Sequence, residues 1–469
     1  MSNSSRRTFL RATAGASALG WARSMKSDAG DAPAWDQVPG ILARIKAPVF
    51  PNRDFEITRY GAAGDAAKDC TAAIAQAIAA CRQAGGGRVV VPPGVFMTGP
   101  IRLQSNVNLH VAEGATLRFD RDPRRYLPLV YTRWEGLECM NYSAFIYADG
   151  QDNIAVTGTG TLDGNCDCEH WWPWKGRTNC GWSKGQPWQQ EARDRLMAMA
   201  EKDVPVKERK FGEGSYLRPQ FIEPVRAKNV LIEGVTINNS PMFEVHPIYC
   251  SNVTVRNVKI VSHGPNNDGC DPDSCRDVLI ENCLFDTGDD CIAIKSGRNR
   301  DGRRVGVPSE NIVIRGCTMK DGHGGLTIGS EMSGGVRNVF AENCTLDSPH
   351  LDEALRLKTN AMRGGTIENV YFRNIRIGQI AHAVLQIDFN YEEGPKGPER
   401  PVVRNIELRD VSCQKAERGL NVRGFPNAKI RNIRMEHCTF RNVEKADLVE
   451  NVEGLVRTDV TVNGKKVDA

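Results

Sequence analysis

A short phrase recurs along this 469-residue chain, and its spacing constrains the fold more than any other feature. The phrase is Asn or Asp, an apolar residue, any residue, an apolar residue, two further residues, and then an apolar residue or cysteine. Alternation of apolar positions with period two predicts a strand in each copy. The clear copies begin at Asn229, Asn252, Asp277, Asn311, Asn338, Asn369, Asn405 and Asn432, with weaker ones at Asn106 and Asn153.

The spacing of the copies selects among repeat folds. Successive clear copies begin 23 to 36 residues apart, a period that indicates a solenoid, a propeller or an array. A propeller blade needs about 40 to 50 residues, and a leucine-rich repeat would show helical periodicity between the strands, which this chain lacks. The sequence therefore predicts an all-β fold, a right-handed parallel β-helix of about ten coils, in which equivalent positions of successive copies become neighbours.

The sixth residue after each Asn or Asp is small and apolar or a cysteine, which predicts an interior ladder. These residues are Val235, Val258, Cys283, Cys317, Cys344, Ile375, Val411 and Cys438. Most of the 15 cysteines are accordingly expected to pack as small hydrophobic residues. The sequence leaves undecided whether Cys166, Cys168 and Cys180 take part in one or two surface disulfides. No His stands at ligand spacing from the close pair Cys166 and Cys168, so neither a metal site nor a cofactor is predicted.

The first 30 residues resemble an export signal. Arg6 and Arg7 are followed, after Thr8, by Phe9 and Leu10 and a weakly apolar stretch rich in Ala and Gly, a pattern typical of twin-arginine signals. We expect a periplasmic or secreted protein. This segment carries five Lys/Arg and one Asp, which accounts for the net charge of +4 and leaves the remainder near neutral. A neutral body favours no nucleic-acid partner, and the absence of an 18-residue apolar run argues against a membrane span.

The chain divides into four predicted regions. Residues 1–30 form the signal, 31–52 a linker, 53–446 the β-helix and 447–469 a C-terminal cap. An amphipathic helix from about Cys70 to Ala84 is expected to shield the first coil. The repeat breaks at 165–218, an insertion with five of the eight tryptophans, which either anchor it or offer a stacking wall for sugars.

Four polar clusters follow the strands between residues 266 and 358. They are Asn266-Asn267-Asp268, Gly288-Asp289-Asp290, Gly322-His323-Gly324 and Arg356-Leu357-Lys358. Aligning the strands after each turn places Asp289 and His323 in one column, with Asp268 in the same column or one step away. Single polar residues in such turns usually satisfy backbone amides. Three carboxylates on adjacent coils repel one another, so the cluster predicts a functional site.

Paired carboxylates suit glycoside hydrolysis, which needs an acid for the leaving oxygen and a base or nucleophile for the sugar carbon. Crowding raises the pKa of one carboxyl group so that it can act as the acid. Arg356 and Lys358 offer a clamp for a carboxylate on the substrate. A uronic acid is the predicted sugar.

These motifs, in this order, resemble those of glycoside hydrolase family 28, the polygalacturonases, and bacterial exo-polygalacturonases in particular. The resemblance runs from about Tyr60 to Asn442 and includes Gly158–Gly164 and Asn239-Ser240-Pro241. Asn267 stands where the family usually has Thr, and Leu357 where it usually has Ile. Neither change removes a functional group.

The resemblance implies a role for each residue. Asp289 would be the general acid, Asp268 and Asp290 would activate water, and His323 would tune the acid. Hydrolysis would invert the anomeric configuration of α-1,4-linked galacturonate in pectin. The implied substrate-binding residues are Asn266, Arg356, Lys358 and Tyr391.

Other readings stay open. An endo-polygalacturonase or a rhamnogalacturonan hydrolase would belong to the same family. A pectate lyase would use Ca²⁺ and an arginine base on the same solenoid, and a non-catalytic carbohydrate binder would not need the carboxylates. We predict exo action, because the insertion at 165–218 is long enough to wall one end of a cleft. Oligomeric state is not predicted.

Overall fold

The computed structural model of the protein describes residues 34–468 and shows a parallel β-helix with a continuous apolar core. The predicted export signal lies outside the described residues. Within them, thirteen strands stack in the first ladder, three more than the predicted number of coils. Its strands are Asp54–Glu56, Gly87–Val91, Val107–Val111, Asp152–Gly158, Lys228–Glu233, Ser251–Arg256, Arg276–Glu281, Ser309–Arg315, Val336–Glu342, Thr366–Gln379, Val402–Lys415, Ile430–Glu436 and Val452–Thr458.

A second ladder follows the first after a short turn. It comprises Asp65–Asp69, Gly94–Thr98, Ala115–Phe119, Thr161–Asp163, Thr236–Asn238, Lys259–Ser262, Leu284–Thr287, Thr318–Met319, Thr345–Leu346, the later parts of the two 14-residue strands, Thr439–Phe440 and Thr461–Val462. The strand Lys465–Lys466 pairs antiparallel with Thr461–Val462. The region 447–469 therefore completes a further coil before it ends in this short hairpin.

The third ladder forms the face that carries the polar clusters. Its strands are Ile101–Arg102, Ile146–Asp149, Ile222–Val225, Ile292–Ile294, Gly322–Ile328, Leu351–Lys358, Ala383–Asp388, Arg418–Arg423 and Leu448–Glu450. Single bridges at Val245 and Cys270 connect Ile222 to Ile292 across the two coils that lack a full strand here. The ladder is therefore continuous through the site.

The recurrent Asn has a backbone reason. From Asn106 to Asn432 each copy holds a positive φ of 54° to 65°, a left-handed conformation that Asn and Asp tolerate better than other side chains. Side-chain amides also bond from coil to coil, for example Asn229 Nδ2 to Asn153 Oδ1 at 2.7 Å and Asn338 Nδ2 to Asn311 Oδ1 at 3.1 Å. The phrase therefore marks a turn and an external amide ladder.

The predicted interior ladder is confirmed, because all eight of its residues are buried. Thirteen cysteines are free and buried, and Cys168 forms a disulfide with Cys180. Of the three cysteines for which a surface bridge was left open, Cys166 packs in the core.

Helices cover the solenoid at its first coil and on one flank. The α-helix Thr71–Gln83 buries Ile74, Ala77, Ile78 and Cys81 at the N-terminal end, as predicted. The described part of the segment 31–52 is folded: its helix packs on Leu279, Val313 and Phe340. The α-helices are Val38–Arg44, Thr71–Gln83, Gln190–Glu201 and Asn299–Val305, and the 3₁₀ helices are Ala34–Gln37, Ile57–Tyr60, Pro123–Tyr126, Trp172–Lys175, Thr178–Cys180 and Val206–Glu208.

Two excursions rise beside the third ladder. One is an antiparallel hairpin, Val130–Trp134 with Leu137–Asn141. The other is the insertion between Thr161–Asp163 and Ile222–Val225, which carries the helix Gln190–Glu201. No helix in the part of the chain that the structure describes is long and apolar enough to cross a membrane.

Candidate active site

The polar clusters lie in turns that lead into strands of the third ladder. Leu326 pairs with Ile292 and with Leu355, so Asp289 and His323, each three residues before its strand position, share a column as predicted. Cys270 bridges Ile292, which brings Asp268 level with Asp290. Of the two predicted positions for Asp268, the structure therefore shows the one a step away from Asp289.

The three aspartates converge. One carboxylate oxygen each from Asp268, Asp289 and Asp290 lies within 4.8 Å of the other two. A glycine allows this approach, because a Cβ at Gly324 would lie 2.8 Å from Asp290 Oδ1 and 2.3 Å from Thr327 Oγ1. Gly324 therefore leaves room for the Asp290 carboxylate, where a larger residue would not fit.

Asp290 is held by the two predicted cations. Lys358 Nζ donates to Asp290 Oδ2 at 2.6 Å, and Arg356 Nη1 donates to Asp290 Oδ1 at 3.3 Å. Asp290 is almost completely buried, so these bonds keep a charged carboxylate satisfied inside the site. Both cations also face the cavity, where a second carboxylate can reach them.

Asp289 is paired with the predicted histidine. His323 Nδ1 lies 3.1 Å from Asp289 Oδ1. Burial would raise the pKa of Asp289, but the hydrogen bond and charge of His323, with Lys358 and Lys295, hold it below its usual range. The same hydrogen bond raises the pKa of His323 to about 9. In the free site the pair is therefore an imidazolium with a carboxylate.

Asp268 has the opposite environment. Burial, reinforced by Asp289 and Asp290, raises the pKa of Asp268 to about 7, although Lys295 opposes the shift. Lys295 Nζ donates to Asp268 Oδ2 at 3.2 Å. Because carboxylates this close titrate together, the proton belongs to the cluster rather than to a single aspartate.

Asn266 and Asn267 have different roles. Asn266 lines the cavity, where its Nδ2 lies 3.4 Å from Asp289 Oδ2, and Arg218 Nη2 donates to its Oδ1 at 2.8 Å. Asn267 is fully buried. Its amide accepts from Ser262 Oγ and the Gly264 N–H and donates to two backbone carbonyls. Asn267 therefore stabilises the conformation of the turn.

Tyr391 lies where the resemblance implies. Its ring centre is 5.3 Å from Lys358 Nζ and 5.9 Å from the Arg356 guanidinium carbon, distances at which a cation is attracted to an aromatic ring. The ring lines the cavity beside the clamp. All eight predicted site residues thus meet in one cavity.

Sequence reasoning missed Lys295 as a site residue. Besides Asp268, its ammonium lies 3.7 Å from Asp271 Oδ2 and 3.5 Å from Glu331 Oε2. A signal was present, because Lys295 follows Ile292-Ala293-Ile294 at the same register as Lys358 follows Leu355-Arg356-Leu357. Two lysines at the same register of the third ladder therefore neutralise the carboxylates, Lys295 at Asp268 and Lys358 at Asp290.

The cavity has a volume of about 190 Å³, and both excursions contribute residues to its lining. Glu135 comes from the hairpin turn, and the insertion contributes Lys175, Arg177 and Arg193. Arg193 Nε donates to Glu135 Oε2 at 2.6 Å, and its Nη2 lies 3.6 Å from Glu392 of the loop beyond the strand Ala383–Asp388. These contacts join three separate segments over the cleft.

The tryptophans anchor the insertion. Trp171 is buried in the core and packs on Trp174 at 4.9 Å between ring centres. The Trp172 indole donates to the Ser240 carbonyl at 2.8 Å, and Trp182 packs on Trp188. No described tryptophan lines the cavity. Of the two readings left open for the tryptophans, these contacts favour anchoring, and the insertion residues that line the cavity are basic.

The three carboxylates are close enough to bind one metal ion together, but lysine side chains already supply positive charge to them. Lys295 contacts Asp268 and Lys358 contacts Asp290. The arrangement therefore combines a shared proton, an imidazolium and a carboxylate clamp, which suits acid–base hydrolysis of an acidic glycoside.

Comparison with known proteins agrees with this chemistry. The chain is 45% identical to a hyperthermoactive exopolygalacturonase from Thermotoga maritima, with a TM-score of 0.90 over 92% of this chain and 97% of that one. It is 27% identical to an exo-poly-alpha-D-galacturonosidase of Dickeya chrysanthemi over 72% of this chain and 57% of that protein. It is 28% identical to an endo-polygalacturonase of Pectobacterium carotovorum over 71% and 74%.

The family model for glycosyl hydrolases family 28 matches residues 207–461, more than half of the chain. That span contains every catalytic residue implied by the resemblance. The parallel β-helix, the three converging aspartates and this match agree, and the chain belongs to glycosyl hydrolases family 28.

Proposed function

We propose that the protein is an exo-acting polygalacturonase that releases galacturonate from the non-reducing end of pectin chains. The observation that carries the proposal is the position of the three aspartates. They lie between a carboxylate clamp and a wall built by the insertion and the hairpin. A polymer can enter such a pocket only by its end, whereas an endo-enzyme needs a cleft open on both sides.

Asp289 acts as the general acid in this proposal. The proton it needs is at hand, because His323 Nδ1 lies 3.1 Å from Asp289 Oδ1. Bound substrate excludes water from the pair and disfavours separated charges, so the proton of the imidazolium passes to the carboxylate. Asp289 then protonates the glycosidic oxygen as the bond to the sugar carbon breaks. His323 is the reservoir of that proton.

Asp290 and Asp268 act on the water. Asp290 is paired with Lys358 and Arg356 and stands one residue from the acid. A galacturonate carboxylate bound at these two cations draws them from Asp290 and strengthens it as a base. Asp268 contacts the same attacking water and helps to orient it. The resemblance implies inversion, although the oxygens lie within 4.8 Å of one another, closer than the roughly 6.5 to 9.5 Å typical of inverting enzymes.

The direction of attack can be tested with an oligogalacturonate that carries a fluorophore at its reducing end. We expect labelled products that shorten by one sugar at a time, with unlabelled galacturonate released in step. Early appearance of short labelled fragments from cuts inside the chain would contradict exo action. Release of labelled monomer first would contradict the assigned end.

We further propose export by the twin-arginine pathway, supported by Arg6 and Arg7 before Phe9 and Leu10. Pectin is too large to cross a bacterial membrane, so its hydrolase must meet it outside the cytoplasm. Replacing both arginines (R6K with R7K) should leave the protein in the cytoplasmic fraction. Unchanged export of that variant would exclude this route.

A further inference from the structure

We propose that Arg177 and Lys175, on the insertion, form a second carboxylate site that binds the terminal galacturonate of the chain. The inference rests on the proposed function and adds a specificity determinant to it. Arg356 and Lys358 would bind one uronate on one side of the scissile bond, and the insertion residues would bind the other. The enzyme would then require two adjacent galacturonates with free carboxylates.

Position along the solenoid supports two separate sites. Arg356 and Lys358 lie on the coil that follows His323, on the C-terminal side of the aspartates. The segment of the insertion that carries Lys175 and Arg177 is anchored on the opposite side at Trp172, because the Trp172 indole donates to the Ser240 carbonyl and a Cβ at Gly264 would meet the Trp172 ring at 2.4 Å. Lys175 and Arg177 follow Trp172 by three and five residues and line the same cavity as the aspartates. The acids therefore lie between two cationic groups.

Pairing within the cavity distinguishes these two residues from the other cations. Arg193, Lys295, Arg356 and Lys358 each have a carboxylate within 3.3 Å. Within residues 34–468, the carboxylate nearest to Lys175 is that of Glu135, at 3.9 Å, and it is already bonded to Arg193. Among the described residues, none forms a hydrogen bond or ion pair with the Arg177 side chain. Their charge is available for a ligand.

Burial makes the weakly paired charge of Lys175 costly, which points to a ligand rather than to a solvated surface. Burial lowers the pKa of Lys175, although Glu135 and Asp289 oppose the shift. A bound carboxylate would supply the missing counter-charge. Arg177 is exposed at the mouth of the pocket, and its planar guanidinium suits a carboxylate through paired hydrogen bonds.

The disulfide fixes this site. Cys168 and Cys180 close a loop that contains both Lys175 and Arg177, and the buried Trp171, near the start of that loop, packs in the core. A flexible loop would lose conformational entropy on binding each substrate. Cross-linking and anchoring the segment that carries the two cations keeps them in place beside the aspartates.

Digalacturonates with one methyl ester provide the test. The native enzyme should cleave the unmodified dimer roughly ten- to a hundredfold better, by kcat/KM, than the dimer esterified on its non-reducing sugar. Arg177→Gln should remove most of that preference, and Lys175→Met part of it. Preference against an ester on the reducing sugar should persist in both variants. Lys184→Met, an exposed change on the same insertion, should behave as native protein.

Each outcome decides a separate point. Full retention of the non-reducing-sugar preference in Arg177→Gln would overturn the second site while leaving exo hydrolysis intact. Loss of the reducing-sugar preference instead would overturn the assignment of the sugar to the insertion. Failure of the native enzyme to release galacturonate from any dimer would refute the proposed function itself. Melting temperature and the persisting reducing-sugar preference show that a variant is folded.

Discussion

Replacing Asp289 by Asn tests the acid assignment with little change in shape. Asp289 is mostly buried and contacts His323 at 3.1 Å and Asn266 at 3.4 Å. Asn keeps an acceptor for His323 but cannot deliver a proton. General acid catalysis contributes about 10² to 10⁴-fold, so turnover on polygalacturonate should fall by that factor, or about 3 to 5 kcal/mol of transition-state stabilisation.

The fold should tolerate this change. The Asp289 carbonyl still accepts from the His323 N–H, and loss of one negative charge relieves repulsion with Asp268 and Asp290. Circular dichroism should be native, and the melting temperature should fall only modestly, because the ion pair with His323 is lost while this repulsion is relieved. NMR should show the pKa of His323 falling from about 9, because its hydrogen-bonded carboxylate is gone. Asp352→Asn, in the same column but outside the cavity lining, is the control and should retain activity.

Turnover of Asp289→Asn within about tenfold of the native rate, with a native spectrum, would refute the acid assignment. An unchanged pKa of His323 in that variant would separately refute the imidazolium–carboxylate pair. Each result has its own measurement, so the acid role and the pairing can fail independently.

Three further predictions address the clamp, the pH dependence and the disulfide. Lys358→Ala should mainly raise KM on galacturonate oligomers, and highly methyl-esterified pectin should be a poor substrate for the native enzyme; equal activity on esterified and free polymer would contradict the clamp. Folding raises the pKa of His323 from 6.5 to about 9, so its ion pair stabilises fully below pH 6.5 and is lost as the pH rises through 9. The difference in melting temperature between the native protein and His323→Gln should therefore decrease as the pH rises from 6.5 to about 9. A difference that stays constant over this pH range would exclude the linkage. Replacing Cys168 and Cys180 by Ser should raise KM and lower stability by up to about 3 kcal/mol, and an unchanged KM would show that the loop is held without the bridge.

The repeat made most of the architecture predictable. Each Asn marks a left-handed turn and each sixth residue enters the core, so one local rule applied in every coil sets the whole solenoid. The terminal coils were not predicted, because their sequences lack the recurrent pattern of Asn or Asp followed by alternating apolar residues. Asp54–Glu56 and Gly87–Val91 begin without the turn Asn, and the capping helix rather than an amide ladder covers that end.

The catalytic centre was predictable for the same reason, since residues at equal register become neighbours. The pocket wall was not, because it depends on contacts between segments far apart in sequence. Glu135, Arg193 and Glu392 come from the hairpin, the insertion and a late loop, and no periodicity relates them. Trp content indicated a folded insertion but said nothing about which of its residues face the substrate.

The most direct test of exo hydrolysis follows viscosity and products together on unesterified polygalacturonate. End-on release shortens each chain by one sugar per event, so the pocket predicts galacturonate as the first product, with viscosity falling slowly as reducing groups accumulate. A cleft open at both ends would cut chains internally. Mixed oligogalacturonates at the earliest times, with a rapid loss of viscosity at a small fraction of bonds cleaved, would contradict the closed pocket.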